Sequence, residues 1–321
     1  LVSTTTNLWG QWWWWLLLLI VIGLVALTMG SVHTPLAAVF NSDSEYFEII
    51  WQLRMPRIIN AMLVGGSLAL AGLLIQNLVK NPLADPYLLG VSGGAATVQL
   101  VVIISGIALA QNTLFFFGFL GSLAATLLLL KLSYHGQIKP EKITLNGVVL
   151  AFGFAAIISF VLATASGQQV KSMMFWLMGD MSFAQPNLLM PVVILACMLL
   201  LMKHHRALDL LARGELFALK SGVNAQRINL IIFTITALLT AMAVAQAGTI
   251  GFVGLIIPHL VRLMTGFKHQ NLIPMCFLVG ACFLVAADTL ARTIMSPIQL
   301  PVGVFTAMIG VPVFLMLNRK V

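Results

Sequence analysis

Charge is what this chain has least of: Lys, Arg, Asp and Glu make up 8% of its 321 residues, where a soluble globular protein carries about 25%. With 60% hydrophobic residues beside it, that scarcity excludes a soluble enzyme. Cysteine is scarce as well. Cys197, Cys276 and Cys282 all fall inside apolar runs, so neither a disulfide framework nor a metal site is indicated. The sequence lacks a Gly-x4-Gly-Lys-Ser/Thr loop, so it does not hold ATP by that route. It also lacks His-Glu-x-x-His and any Asp-rich repeat, which disfavours an intramembrane lipid-modifying enzyme. The opening residues carry no positive charge and do not read as a cleavable signal peptide. The sequence begins at Leu1 rather than Met, so its natural start is expected upstream.

What the sequence has is long apolar runs. A bilayer core takes roughly 20 apolar residues per helical span. Ten runs qualify, over about residues 12–29, 58–79, 88–110, 113–130, 143–165, 187–202, 228–247, 249–264, 272–294 and 299–317, the eighth being short. The fold class expected is an all-α integral membrane protein of ten transmembrane helices, one domain over residues 1–321, with both termini on the same side.

Charge placement sets the orientation. With the N-terminus cytoplasmic, 13 of the 17 Lys and Arg lie inside, and Arg54, Arg57, Lys171 and Arg292 lie outside. The reverse orientation would invert the positive-inside rule. The net charge of +8 therefore reports topology and not nucleic-acid binding, and the four tryptophans at 12–15 read as an anchor in the inner lipid interface. No run has an ionisable residue near its centre. Carriers driven by protons or sodium usually need such groups, so a secondary carrier is disfavoured. Glycines at 65, 66, 72, 90, 93, 94, 118, 121, 248, 251 and 254 read mainly as places where helices touch.

Four stretches are more specific: Arg54-Met55-Pro56-Arg57; Asn81-Pro82-Leu83-Ala84-Asp85-Pro86 running into Leu88-Leu89-Gly90-Val91-Ser92-Gly93-Gly94; Gly248-Thr249-Ile250-Gly251-Phe252-Val253-Gly254 through Pro258-His259 and Arg262; and Ala287-Asp288-Thr289-Leu290-Ala291-Arg292 followed by Leu300-Pro301-Val302-Gly303. In order and spacing, from about residue 50 to 317, the chain resembles the FecCD family, the permeases of type II ABC importers for ferric siderophores, haem and vitamin B12. The resemblance implies a multi-pass permease of the bacterial inner membrane with cytoplasmic termini. It would pair with a second permease copy, two cytoplasmic ABC ATPases and a periplasmic substrate-binding protein. The chain itself would bind no cofactor, ATP and Mg being held by the ATPase. A metal chelate is the expected cargo, with an oxyanion such as molybdate as the alternative.

The resemblance assigns Arg54, Arg57 and Arg292 to docking of the binding protein. Guanidinium groups suit that role because they pair bidentately with carboxylates and stay charged; the plainer alternative is anchorage in lipid headgroups. It also assigns Arg213, Glu215, Leu216, Phe217, Leu219 and Lys220 to ATPase coupling. Glu215 at the start, Lys220 at the end and Gly222 beyond it suit a short helix, whose apolar side chains need a partner surface or the inner leaflet. Relatives commonly carry a second acidic residue and a Leu-Gly pair where this chain reads Leu219-Lys220-Ser221-Gly222. The inner gate falls on Gln137-Ile138-Lys139-Pro140-Glu141-Lys142, with Pro140 and Glu141 the gate candidates. Met173, Met174, Trp176 and Met178 follow as pathway candidates, thioethers being adaptable to bulky ligands, although such a stretch also suits packing. Asp85 between two prolines reads as a helix cap, His259 as a satisfied buried histidine, and Pro258 as a break or bend.

Overall fold

The computed structural model describes residues 8–30, 32–107, 110–134, 139–182 and 187–318. They fold into thirteen α-helices, with no strand among the described residues. Ten cover the ten apolar runs: α1 (Leu8–Thr28), α2 (Met55–Val79), α3 (Val91–Ile104), α4 (Gln111–Ser133), α5 (Pro140–Thr164), α7 (Leu189–Lys203), α10 (Ala225–Ala247), α11 (Val253–Thr265), α12 (His269–Thr293) and α13 (Val302–Asn318). Three more lie between runs: α6 (Gly167–Leu177), α8 (His205–Ala212) and α9 (Glu215–Lys220).

The runs differ in how much membrane they could cross. Five helices are long and apolar enough to span, and α7 with α8, bent by 65°, would make a sixth. The segments 13–28, 91–104, 253–265 and 302–316 are shorter apolar helices. At 1.5 Å per residue α3 and α11 reach only about 20 Å, so each needs its flanking loop to complete a crossing. Turn chemistry shortens them. Asp85 accepts the Tyr87 N–H at 2.8 Å and starts a 3-10 turn over Pro86–Leu89, and Gly90 then takes φ +68° before α3. Gly248 and Phe252 both take φ +70° before α11.

The centre of the bundle is α2. In its span, 83% of the most apolar window is buried within the protein, against 11% for α5. It packs on α12, α10 and α11. A Cβ added at Gly72 would enter the carbonyl of Gly254 on α11, and one at Gly65 the carbonyl of Gly280 on α12. Burying apolar surface gives no drive between helices in lipid, so such close backbone approach is how they adhere.

Pro258 does not break α11, which runs continuously through it. The proline lacks the N–H that would serve the carbonyl four residues earlier. The Gln76 amide of α2 replaces it, donating to Gly254 O at 3.3 Å and Leu255 O at 3.1 Å. Arg262 in turn donates to Gln76 Oε1. Above this, the Tyr87 hydroxyl accepts the Ile250 N–H at 2.8 Å and donates to Ile250 O at 3.0 Å, holding the chain between α10 and α11.

A side chain at the α2–α11 contact should therefore be costly. Gly72→Ala is expected to destabilise by about 1–3 kcal/mol through overpacking, read as a lower Tm of the purified permease. Gly153→Ala, on α5 with open space around its Cβ position, should leave Tm equal or slightly raised.

Candidate functional site

At the N-terminal end of α2, Arg57 and Arg292 meet one carboxylate, with Arg54 beside them. Arg57 Nε lies 3.1 and 3.0 Å from the two oxygens of Asp288, and its Nη2 donates to Oδ1 at 2.8 Å. Its Nη1 donates to Gln299 Oε1 at 2.9 Å and Ser182 Oγ at 3.3 Å. Arg292, one helical turn beyond Asp288, places Nε 3.2 Å from Oδ2 as a charge contact without hydrogen-bond alignment. Arg54 donates to Leu27 O at 2.6 Å, to Thr34 Oγ1 at 2.8 Å and to Val32 O. It closes the carbonyl end of α1, where helix carbonyls lack partners.

The three guanidinium groups and Ser182 and Gln299 line a cavity of about 320 Å³. Its three positive charges face one buried negative charge, so the cavity favours an anion. Arg54 and Arg292 are buried, each 5% exposed; the Arg57 side chain is little more accessible, at 11%. The sequence expectation of three free arginines is thus narrowed. Arg54 is committed to backbone carbonyls, and Arg292 sits behind Asp288.

On the opposite face, α9 follows Gly214, whose φ of +125° turns the chain out of α8. Its placement over Glu215–Lys220 matches the sequence reading. Glu215 accepts from Asn229 of α10 at 3.1 Å, and Ala218 is buried, which fixes the helix on the bundle. Leu216, Phe217 and Leu219 project outward, 77%, 45% and 57% exposed. The Arg213 guanidinium lies 5.7 Å over the Phe217 ring, a cation–π pair that steadies it. Lys220 closes the last turn, complementing the helix dipole.

The expected gate lies beside this helix. Pro140 opens α5, and with Lys139, Glu141 and Lys80 it faces Glu215 and Leu219 across a cavity of about 850 Å³. Gln137 and Ile138 lie outside the described residues. Four ionisable groups of balanced sign line that cavity, so it has no net preference for an anion or a cation.

The methionine-rich stretch divides. The Gln169 amide ties α6 to the end of α3, donating to Ile103 O at 3.2 Å and Ile104 O at 3.3 Å. Met173 is fully buried against Leu100 and Val161, with Trp176 packed on the same cluster. Met173 therefore presents no surface to a passage, which corrects its assignment as a pathway residue. Met174 and Met178 are exposed.

The remaining candidates are structural. Asp85 caps its turn as expected, and burial pushes its carboxyl up to about 6 against the opposing pull of the Tyr87 N–H. Asp180 Oδ1 accepts the Ser182 N–H at 2.7 Å, and the Asp180 N–H donates to Ala247 O. His259 is half-exposed and has no hydrogen-bond partner among the described residues, contrary to the satisfied histidine expected.

Sequence reasoning missed Asp288 as the ion-pair centre, although its i,i+4 spacing to Arg292 on a helix was a usable signal. It also missed α8 and the contact of Asp209 with His269. The Asp209 carboxylate accepts from the His269 ring at 2.7 Å and from its backbone N–H at 2.8 Å. Burial alone would raise the Asp209 pKa, but the bonds from the His269 ring and backbone N–H hold it below the usual carboxylate range. Sixty residues separate the pair, so no local pattern announces it.

Known proteins resemble this chain over more than nine-tenths of its length. The chain is 35% identical over 306 residues to the hemin transport system permease protein HmuU of Yersinia pestis, covering 92% of this chain and 91% of that one. It is 36% identical over 302 residues to the Fe(3+) dicitrate transport system permease protein FecD of Escherichia coli, covering 92% and 93%. A solved structure described as an inward-facing conformation of a metal-chelate type ABC transporter superposes with a TM-score of 0.86 at 30% identity, over 97% of this chain and 99% of that one. Residues 17–320 match the FecCD transport family. With fold, sequence and length in agreement, the chain belongs to the FecCD family of ABC transporter permeases.

Proposed function

We propose that this chain is the membrane-spanning subunit of a type II ABC importer for a metal chelate, a ferric siderophore or haem before vitamin B12. The observation that carries the reading is the pair of surfaces at opposite ends of one bundle: the arginine-lined cavity outside and the projecting α9 inside. A binding protein delivers the chelate to the first, and a separate ATPase acts on the second. The chain crosses the inner membrane ten times, the short α3 and α11 included, with both termini cytoplasmic. Two copies pair around the passage, each with one ATPase holding ATP and Mg, and closure of the ATPases empties the cavity inward.

The chemistry of each surface fits its partner. A binding-protein carboxylate entering the outer cavity would find Arg57 already oriented by Asp288, Gln299 and Ser182, which lowers the cost of fixing a flexible side chain. Apolar side chains on α9 would fill a groove in the ATPase, as hydrophobic anchors do at protein interfaces. The very apolar, little-buried α5 suits lipid on one side and the second permease copy on the other.

Proteoliposomes holding the permease and its ATPase, with the binding protein added outside, should take up haem or a ferric siderophore only with ATP inside. Uptake without ATP would refute the reading. Phe217→Asp should abolish uptake and stimulated ATP hydrolysis while binding-protein affinity, measured on the reconstituted permease, stays unchanged. Arg57→Gln should weaken binding-protein affinity by about tenfold or more, with a flatter salt dependence, since it removes a charge-assisted bidentate donor. Arg54→Gln should instead lower Tm, because Gln cannot serve three acceptors at once.

A further inference from the structure

The two surfaces are joined by one antiparallel helix pair. Twenty residues separate Arg57 from Asn77 on α2, and nineteen separate His269 from Asp288 on α12, so each helix carries its two polar residues about 30 Å apart. That is the thickness of a bilayer core. Outside, Arg57 grips Asp288 across the pair. Inside, Asn77 Nδ2 lies 3.2 Å from His269 Nε2. Between these clasps Gly65 and Gly280 bring the backbones together, and Phe277 lies over Gly66. A pair pinned at both ends and close-packed between them cannot slide or splay locally, so a displacement at one end has to appear at the other.

The inner clasp also holds the segment that carries α9. With the Asn77 amide donating to Nε2, the His269 proton sits on Nδ1 and points to Asp209, a tautomer assigned from this network. The same Asp209 oxygen accepts the first backbone N–H of α12. A carboxylate of α8 thus caps a helix it is not part of, where the helix dipole favours negative charge. Asp209 lies six residues before Glu215, the first residue of α9. The charged and titratable groups facing this junction are Asp209 and His205 on α8 and His269 on α12.

We propose that α2 and α12 form a transmembrane strut between the binding-protein and ATPase surfaces, with Asp209 and His269 the positioning residues by which the coupling segment grips it. This rests on the importer reading above. The ATPase moves α9; α8 follows through Arg213 and Gly214; Asp209 carries the motion to the first turn of α12; and the Arg57–Asp288 clasp moves with it. Docking outside biases the same strut in the opposite sense, so occupancy of the outer cavity is felt at α9.

The test uses the permease with the ATPase that copurifies with it, in nanodiscs, with Mg-ATP and orthovanadate as the probe. A nitroxide is placed at Ile294→Cys, exposed at the outer end of α12, with Cys197, Cys276 and Cys282 replaced. Vanadate trapping should shift the label's EPR spectrum in the otherwise unsubstituted chain. His269→Ala should lose the shift while still copurifying with the ATPase. His269→Asn, whose amide can donate to Asp209 from the place of Nδ1, should keep it. If His269→Ala fails to fold, Asp209→Ala provides the same loss from the half-exposed side of the pair. A full shift in either alanine variant, or equal loss in His269→Ala and His269→Asn, overturns the strut alone. A parent chain that copurifies with no ATPase overturns the importer reading and the strut with it.

Discussion

Close backbone contact between α2 and its neighbours is the constraint on which the rest of this protein depends. Inside a bilayer, apolar surface gains little by leaving lipid for protein, so helices need short-range packing to stay together. Gly65 against Gly280 and Gly72 against Gly254 supply it. Once α2 is held this tightly by α11 and α12, polar groups on all three can meet. Gln76 reaches the carbonyl orphaned by Pro258, Asn77 reaches His269, and Arg57 reaches Asp288. Moving α2 outward by the width of a methyl group would loosen all of these bonds together, and each orphaned group would then be costly to leave buried.

The ten hydrophobic runs were legible because a helix in lipid must be apolar for most of its length, and each run coincides with a helix. The position of α9 was legible for a different reason, since Glu215, Lys220 and Gly222 mark helix ends by local rules. Helix α8 was not, because it follows α7 after one residue and its apolar residues, Leu208 and Leu211, look like a continuation of the run. Only the 65° bend separates them. Whether α3 and α11 complete a crossing was likewise not legible from hydropathy, which does not register where a helix stops and an ordered apolar loop begins.

The outer site shows the limit more sharply. Sorting charges by side put Arg54, Arg57 and Arg292 on one side of the membrane, and the structure places the three around one cavity. Side does not determine direction. Arg54 turns back to the carbonyl end of α1, where Arg292 also reaches Ala26 O at 3.5 Å, whereas Arg57 meets a carboxylate 231 residues away. Positions three apart share nearly the same helix face, so the difference lies in what each guanidinium finds within reach and not in the spacing. Met173 and Met174, adjacent on α6, point about 100° apart, one enclosed and its neighbour exposed.

Ionisable residues were read as absent from the span centres, and that absence argues against a proton-driven carrier. The structure gives it a second meaning. The buried charges that do exist gather at the two ends of the α2–α12 pair, where they hold helices to each other and to loops. A charge there is tolerable because its partner is fixed and its remaining donors are satisfied. Arg57 meets both conditions with Asp288, Gln299 and Ser182. A second carboxylate entering the cavity would share a guanidinium already oriented, with Arg292 close enough to compensate Asp288. Burying that second carboxylate costs desolvation, which the excess of positive charge lining the cavity would offset.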